Sequence, residues 1–131
     1  MENSFKLEII SPEKVIFSDD VTIVTVPSYE GDMSLLKNHI SIITFLRPGI
    51  IKVKKKNENF SEFFVEDGTI EFFNDSLVIL SVSAINIKDL SKEFLENLTQ
   101  DTEKQLAEKE ITDHNRYVLN HKLNTIKEIR I

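Results

Sequence analysis

The sequence predicts a β + α protein, with a β-sandwich or barrel over residues 1–84 and an antiparallel two-helix hairpin over residues 85–131. Two observations favour this division. Short apolar segments with a period of two, each closed by a turn signal, fill the first part. After Ala84 the chain contains no glycine or proline, and its apolar residues recur every three or four positions, as on one face of a helix.

The predicted strands follow one another at regular spacing. Residues 5–9 alternate between apolar and charged side chains, as in a half-buried strand. The alternation breaks step between Ile23 and Val24, which is typical of a bulge or of a strand between two packed layers. The later strands are rich in Val, Ile and Phe and end at turn signals such as Asp67-Gly68. These later strands are predicted at residues 49–54, 60–66, 69–73 and 76–83.

Apolar stripes and capping residues predict the two helices, each of some 20 residues and therefore about 30 Å long. Asn86 is the expected N-cap of the first helix. Thr112-Asp113 is expected to separate the helices and to cap the second. The stripes consist of Leu90, Phe94 and Leu98 in the first helix and of Leu119, Leu123, Ile126 and Ile129 in the second.

The two helices carry opposite net charge. Residues 89–110 contain seven acidic residues and three lysines, a net charge of −4, whereas residues 113–131 contain four basic and two acidic residues, a net charge of +2. The apolar stripe of the first helix lapses from Thr99 to Gln105. Because most helix stability in proteins comes from packing an apolar face, we expect this hairpin to dock weakly.

Composition excludes several functional classes. A chain of 131 residues can bury a real core as one ordinary domain. Its net charge of −6 and pI of about 5.1 argue against a nucleic-acid-binding protein. The absence of cysteine excludes disulfides, thiolate zinc sites and cysteine nucleophiles. No leader segment or membrane-spanning apolar run is recognised, so we expect a cytosolic protein or one held at a membrane's edge by another protein.

Catalytic and ligand-binding motifs are scarce. His114 and His121 share a helix face but lie about 10.5 Å apart along it, too far to bind one ion, so no metal site is predicted. Glu66 and Asp67 are adjacent and need not converge, which disfavours a glycosidase-like pair. No phosphate-binding or nucleophile motif is present. The lysine-rich residues 52–56 suggest a nucleic-acid patch or an edge strand, and their position at a strand end favours the edge strand.

Residues 7–21, 26–53 and 63–81 carry a family pattern, of which the central block is the most specific. That block contains, at the family's spacing, Glu30, Gly31, Asp32, Leu36, His39, Leu46, Pro48, Gly49 and Ile50. With these residues the chain resembles, over nearly its whole length, the epsilon subunit of F-type ATP synthases, called delta in mitochondria. The resemblance implies a β-sandwich of about ten strands followed by a two-helix hairpin.

The resemblance also implies a rotor subunit that is not an enzyme by itself. In the family the sandwich sits at the foot of the central stalk, on the gamma subunit and on the polar loops of the c-subunit ring. Glu30, Gly31 and Asp32 match the acidic loop that meets the ring, and His39 matches the histidine that follows this loop. This implies a peripheral position at the cytoplasmic face of the bacterial inner membrane, where proton-driven rotation is coupled to ATP synthesis.

The hairpin of bacterial members either folds beside the sandwich or extends into the catalytic head, where it inhibits ATP hydrolysis. There, basic residues of the last helix meet an acidic segment of the beta subunits. The resemblance implies alpha as a further partner of the hairpin. The matching candidates here are Arg116, Lys122, Lys127 and Arg130. The thin apolar seam of this hairpin suits a detachable arm.

Some positions depart from the family pattern. Certain bacterial members bind ATP through Ile/Leu-Asp-x-x-Arg-Ala, but residues 87–92 read IKDLSK here, so neither a nucleotide site nor a cofactor is predicted. Lys37-Asn38 replaces Pro-Gly and Asp67-Gly68 replaces Gly-Gly. We expect both turns to survive, because Asn and Asp tolerate a left-handed backbone. Ser34 stands where the family has a glycine.

Two other hypotheses remain open beside the rotor subunit. The chain is alternatively a free-standing β-sandwich module that binds another ligand, or a hydrolase that uses carboxylates. The rotor hypothesis predicts co-purification with gamma and the c-ring, whereas the module hypothesis predicts a stable monomer that ignores gamma. The hydrolase hypothesis predicts turnover by the isolated protein.

Overall fold

The computed structural model describes residues 3–56 and 59–129. Within these residues, ten strands precede a short 3₁₀ helix and two α-helices, so the predicted sandwich with a C-terminal hairpin is confirmed. The elements are β1 Phe5–Ile10, β2 Val15–Val21, β3 Ile23–Ser28, β4 Gly31–Leu35, β5 Ile42–Leu46, β6 Gly49–Lys54, β7 Phe60–Val65, β8 Gly68–Phe73, β9 Ser76–Ser81, β10 Ala84–Asn86, the 3₁₀ helix Ile87–Asp89, α1 Lys92–Leu106 and α2 Asp113–Glu128.

The strands hydrogen-bond in the order β10-β7-β6-β3-β5-β8-β9-β1-β2, and β4 pairs with β3. Ser28 with Leu46 is the one register pair that joins β3 to β5 in the described chain, so the sheet folds over at this point. We call β10, β7, β6, β3 and β4 the hairpin layer, and β5, β8, β9, β1 and β2 the open layer. β1 runs parallel to β9, with Lys6 opposite Ser76.

The main core lies between the two layers and is built from the inward side chains of alternating strand positions. Burying an aliphatic side chain of this kind contributes about 1.5–3 kcal/mol, and the residues on the two inner faces supply the bulk of the sandwich's stability. Fully buried members are Leu7, Ile9, Val21, Val24, Val26, Leu35, Leu46, Ile51, Val53, Val65, Ile70, Leu77 and Ile79.

The break in the apolar pattern near Ile23 marks a passage between layers, and the bulge interpretation was wrong. β2 ends at Val21 and pairs with β1, whereas β3 begins at Ile23 and pairs with β4 and β6. Thr22 lies between them, where its N–H and its hydroxyl both donate to the carbonyl of Lys54. The inward face therefore shifts by one residue because the chain changes neighbours.

The lysine-rich residues 52–56 do not lie on an edge strand, so that interpretation was also wrong. β6 pairs with β3 on one side and β7 on the other, with Lys52 opposite Glu62. The Lys54 ammonium lies 5.6 Å from the centroid of the Phe60 ring. Lys55 forms an ion pair with Asp19, and this contact lowers the pKa of that carboxyl. These lysines therefore have partners within the sandwich.

The first α-helix begins later than its sequence suggested. Asn86 caps the 3₁₀ helix, and Ser91 caps α1, because its hydroxyl accepts the backbone N–H of Phe94 at 3.0 Å. Thr112 caps α2 as predicted. With 15 and 16 residues, both helices are shorter than the predicted 20.

The hairpin has a second, smaller core against the sandwich. Phe94 was expected in the apolar stripe of α1 but is 40% exposed, because the late helix start turns Leu95 inward instead. Where the stripe lapses, α1 buries Thr102, whose hydroxyl donates to the carbonyl of Leu98 at 2.7 Å. The buried members of this core are Phe64, Leu90, Leu95 and Ile126.

Both departures from the family's glycines leave intact turns, for different reasons. Asn38 adopts the expected left-handed conformation, with φ 70°. Asp67 is not among the positive-φ residues of the described chain, so its turn does not need the tolerance invoked for it. At Gly68 a Cβ atom would lie 1.8 Å from the carbonyl oxygen of Leu80. This glycine is therefore required by the close approach of β9.

Candidate functional site

The acidic turn, Glu30–Asp32, is a rigid connection between β3 and β4. The Ser28 hydroxyl donates to the carbonyl of Gly31 at 2.6 Å and accepts the N–H of Glu30 at 3.3 Å. Gly31 has φ +120°, a backbone conformation that residues other than glycine rarely adopt. Both carboxylates face solvent. The turn therefore presents two solvent-exposed carboxylates, groups that accept charge-assisted hydrogen bonds from cationic partners.

His39 lies in the loop after β4, away from the acidic turn. Residues 33–38, which comprise the rest of β4 and the start of the loop after it, separate the two along the chain. Its ring packs edge-on against Phe72, with 5.6 Å between centroids, and Nδ1 donates to the carbonyl of Ile40 at 2.7 Å. The N–H of Asn38 is bound by Asp75 Oδ1 at 2.7 Å. The structure thus does not bring His39 together with Glu30 and Asp32.

Lys122 was expected to reach a partner, but in this structure it faces the sandwich. Its side chain is buried, and Nζ lies 2.9 Å from Glu66 Oε1 on the turn that follows β7. Removing one member of such a pair leaves a buried charge without compensation. Thr125, also buried, places its hydroxyl 3.4 Å from the carbonyl of Pro48. These contacts hold α2 on the hairpin layer.

The other three basic candidates have different positions. Arg116 and Lys127 are exposed on α2 and stay available to a partner while the hairpin is docked. Arg130 lies outside the described residues. Of the described candidates, the structure therefore separates Lys122, inside the docked interface, from Arg116 and Lys127, outside it.

Arg47, at the end of β5, connects the acidic turn to α2. Its Nε donates to the carbonyl of Ser28 at 2.9 Å, and Nη2 lies 3.5 Å from Asp32 Oδ1. Nη1 lies 3.0 Å from Nδ1 of His121. Burial first, and then the neighbouring charge of Arg47, lower the pKa of His121 below its usual value. One guanidinium therefore contacts both halves of the candidate site.

An aromatic seam continues this contact along α2. The rings of Tyr29 and Tyr117 lie 5.0 Å apart, and the Tyr117 hydroxyl donates to the carbonyl of Tyr29 at 3.3 Å. His114 stacks on Tyr29 at 6.2 Å, and His121 packs edge-on against Tyr117 at 4.4 Å. Burial chiefly raises the pKa of Tyr29, with contributions from Asp67 and Tyr117. The two histidines share a face as predicted, and that face contacts aromatic rings.

The outward surface of the open layer carries several exposed apolar side chains, beside charged residues such as Glu71, which lies opposite Ile43. Ile43 and Phe45 on β5 are 76% and 63% exposed, and Phe73 on β8 is 66% exposed. Phe45, Thr69, Leu80 and Ile10 lie in one row across four strands. A shallow groove of about 530 Å³ runs beside Leu80. Several large apolar side chains exposed on one face are typical of interaction sites on soluble proteins.

Sequence reasoning missed this surface, Arg47 and the aromatic seam. A signal for the surface was present, because residues 42–46 and 69–73 carry apolar side chains at positions that face both ways, which a strand with one solvated face does not need. A weaker signal concerned the seam, since the chain's two tyrosines lie beside the acidic turn and near the start of the basic helix. Nothing in the sequence singled out Arg47.

In the part of the chain that the structure describes, no helix is both long and apolar enough to cross a membrane. The same residues contain no group of three or more His, Asp or Glu side chains arranged to hold a metal ion.

Solved structures with a similar fold come from mitochondrial ATP synthases. A chain of the Euglena gracilis enzyme aligns with a TM-score of 0.73 at 17% identity, covering 95% of this chain and 78% of that one. A chain from the central stalk/c-ring structure of the Tetrahymena thermophila enzyme aligns with a TM-score of 0.65 at 14% identity, covering 94% and 93%. At these identities the likeness concerns the fold.

Sequence comparisons establish the family. Residues 4–87 match the family described as ATP synthase, Delta/Epsilon chain, beta-sandwich domain. The ATP synthase epsilon chain of Pelagibacter ubique (strain HTCC1062) is 44% identical over 130 residues, which cover 98% of this chain and 99% of that protein. The epsilon chain of Parvibaculum lavamentivorans is 30% identical over 130 residues, covering 99% and 98%. The chain therefore belongs to the delta/epsilon-chain family of ATP synthases.

Proposed function

We propose that this chain is a central-stalk rotor subunit of an F-type ATP synthase, at the cytoplasmic face of a bacterial inner membrane. Its sandwich binds the gamma subunit and the c-ring and helps to couple proton-driven rotation to ATP synthesis, without being catalytic itself. Its hairpin is a regulatory arm that inhibits ATP hydrolysis. Family membership supports this proposal, because the similar chains are epsilon chains and one similar fold belongs to a central stalk/c-ring assembly.

The observation that carries the proposal is the exposed apolar surface of the open layer. The hairpin covers the opposite layer, so intramolecular contacts leave Ile43, Phe45 and Phe73 facing water. Each apolar side chain of this size gains about 1.5–3 kcal/mol when it is buried. A permanent subunit of a larger complex uses such a surface as an interface, and we assign it to gamma.

The acidic turn suits the second partner. Glu30 and Asp32 are held on a rigid hairpin, so little conformational entropy is lost when a cationic or amide group of a c-ring loop binds them. His39 lies at the other end of β4 and meets a different part of the assembly. We therefore assign the acidic turn to the c-ring and the His39 loop to gamma.

The hairpin's interface suits an arm that leaves the sandwich. It combines a small apolar core with an ion pair, a guanidinium contact and a tyrosine hydrogen bond. Polar contacts exchange for water at modest net cost, about 0.5–1.5 kcal/mol each. When the arm extends, Lys122 becomes available to a partner, as Arg116 and Lys127 already are. Together with Arg130, these residues bind the acidic segment of the beta subunits, and the arm also contacts alpha.

Two phenylalanines provide a matched test of the gamma interface. Phe73 lies on the open layer and Phe60 on the hairpin layer, and they are 66% and 64% exposed. We expect Phe73→Glu to weaken gamma binding at least tenfold, because a charge replaces about 1.5–3 kcal/mol of apolar burial. Phe60→Glu is expected to bind like the wild type. Isothermal titration of purified gamma with each variant measures both affinities.

The titration also separates the rotor subunit from the alternatives. Wild-type protein that ignores gamma favours a free-standing binding module. Wild-type affinity in Phe73→Glu would assign gamma to another surface while keeping the rotor subunit. Turnover of a glycosidic or ester substrate by the isolated chain would support the carboxylate hydrolase instead.

A further inference from the structure

The interface between the hairpin and the sandwich contains one histidine whose protonation state is fixed by its neighbour. Nη1 of Arg47 lies 3.0 Å from Nδ1 of His121. A guanidinium has only N–H donors, so Nδ1 must offer its lone pair. The His121 ring is therefore neutral in the docked state, with its proton on Nε2. A second proton would place two cations in hydrogen-bond contact.

Four charged side chains surround His121, from α2 itself and from the strands and the loop that pack against it. Arg47 contributes a cation from the β5–β6 loop, and β4 contributes Asp32, which is bound to the far side of that guanidinium. Lys52 of β6 and Glu128 of α2 line the same cavity of about 270 Å³. Two cations and two anions thus balance when the histidine is neutral.

The ion pair next to His121 along α2 has both of its partners within the chain. Lys122, the next residue of α2, forms an ion pair with Glu66. The Glu66 carboxylate is therefore not free to compensate a positive charge on His121. The other close neighbour is the Tyr117 ring, which lies edge-on to the imidazole. Neither of the two ring contacts, with Arg47 and with Tyr117, among the residues that the structure describes, offers Nδ1 a hydrogen-bond acceptor while Arg47 remains in place.

We propose that the Arg47–His121 contact is a pH-sensitive latch, which holds the hairpin on the sandwich when the imidazole is neutral and releases it when the imidazole takes up a proton. The contact lies within one chain, so the latch itself does not depend on any partner. Its regulatory meaning rests on the proposed function, in which the released hairpin is the inhibitory arm.

The direction of the effect follows from linkage. Docking lowers the pKa of His121, so docking is strongest above the ordinary histidine value of about 6.5. As pH falls below that value towards the docked pKa, each pH unit lowers the docking equilibrium constant about tenfold. Below the docked pKa no further loss occurs.

Hydrogen exchange of the isolated full-length chain tests the latch. Protection of the α2 amides, corrected for intrinsic exchange and compared with the core amides of β9, reports the docking equilibrium between pH 8 and pH 5.5. We expect wild-type α2 protection to fall severalfold or more across this range. His121→Gln is expected to abolish the dependence, because the amide oxygen accepts from Arg47 but takes up no proton.

His114→Gln is the matched control. His114 lies on the same face of α2 but stacks on Tyr29 and does not contact Arg47, so its variant should retain the wild-type dependence. A flat wild-type profile, or an unchanged dependence in His121→Gln, would overturn the latch. Because gamma is absent from this assay, failure here leaves the rotor proposal standing.

A second measurement tests the latch if the hairpin of the His121→Gln variant does not dock on the sandwich. The pKa of His121, read from its ring proton shifts by NMR, should rise when Arg47→Gln removes the adjacent cation. An unchanged pKa in Arg47→Gln would show that the guanidinium does not govern the imidazole, and the latch would be rejected.

Discussion

At the residue scale, Arg47 combines positions that are far apart in the chain. It binds the end of β3, lies beside Asp32 of the acidic turn and contacts α2 through His121. The surrounding carbonyl and carboxylate acceptors fix the guanidinium, which loses little further entropy when α2 arrives. The geometry of the acidic turn and the docking of the hairpin therefore share a side chain.

Gly31 gives a prediction at this scale. Its φ of +120° is strained for any residue with a side chain, although nothing lies within 4 Å of an added Cβ. We expect Gly31→Ala to lower the free energy of unfolding by about 1–3 kcal/mol through backbone strain alone. Urea unfolding followed by circular dichroism measures the change.

Ser34→Ala, on the exposed face of the same strand, is the control for Gly31→Ala. It removes one exposed hydroxyl contact with Thr25 and should cost well under 1 kcal/mol. Stability of Gly31→Ala within error of the wild type would mean that the turn relaxes to another conformation.

At the element scale, periodicity predicted which parts are strands and which are helices, and tertiary contacts decided the rest. The left-handed Asn38 followed from its residue type. The burial of Leu95 instead of Phe94 could not be predicted from residue type, because it depends on the residue at which α1 begins after the 3₁₀ helix. Likewise, the pairing partners of β6 are set by topology, which a run of lysines does not reveal.

The candidate site was predictable to a smaller extent than the fold. The turn carrying Glu30 and Asp32 could be recognised because it lies in the central block of residues that resembles the family pattern. The contact of Arg47 with His121 joins residues 74 positions apart and leaves no local pattern. Lys122 shows the same limit, since a basic residue on a predicted helix gives no indication of its buried partner Glu66.

The Lys122–Glu66 pair gives the prediction for the hairpin. Glu66→Gln leaves the buried ammonium without a counter-charge, so we expect docking of α2 to weaken by roughly 1.5–3 kcal/mol, or about ten- to a hundredfold. Hydrogen exchange of the α2 amides at pH 8 measures the loss. The sandwich core should keep its protection.

Glu62→Gln is the control for Glu66→Gln. Glu62 is an exposed carboxylate of β7 that lies opposite Lys52 and takes no part in the ion pair with Lys122. It should leave α2 protection unchanged. Equal protection in Glu66→Gln and wild type would mean that apolar packing around Ile126 alone holds the hairpin down.

At the scale of the whole molecule, the protein has one covered and one bare face. The hairpin protects the apolar positions of the hairpin layer, including Phe64, while the open layer stays uncovered. The proposed arm can therefore leave without disturbing the proposed gamma interface. Its departure exposes the small second core, so a partner that offers apolar as well as acidic surface compensates best.

Removal of the arm gives the prediction at this scale. In the assembled ATP synthase, deletion of residues 88–131 should raise ATP hydrolysis severalfold while gamma still co-purifies with the sandwich. The deletion begins after β10, so every strand pairing remains. Hydrolysis is measured on purified complexes with and without the deletion. Unchanged hydrolysis with gamma still bound would show that the arm is not a brake.

The parallel pairing of β1 with β9 has a consequence for how the polypeptide acquires its structure. Lys6 meets Ser76, about 70 residues later, so the first strand emerges from the ribosome long before its neighbour exists. Topologies rich in such distant pairings fold in milliseconds to seconds, far more slowly than helical bundles. Until β9 is synthesised, the nascent β1–β2 ribbon has an unpaired edge and exposes Leu7 and Ile9, so the chain is prone to aggregation during this interval.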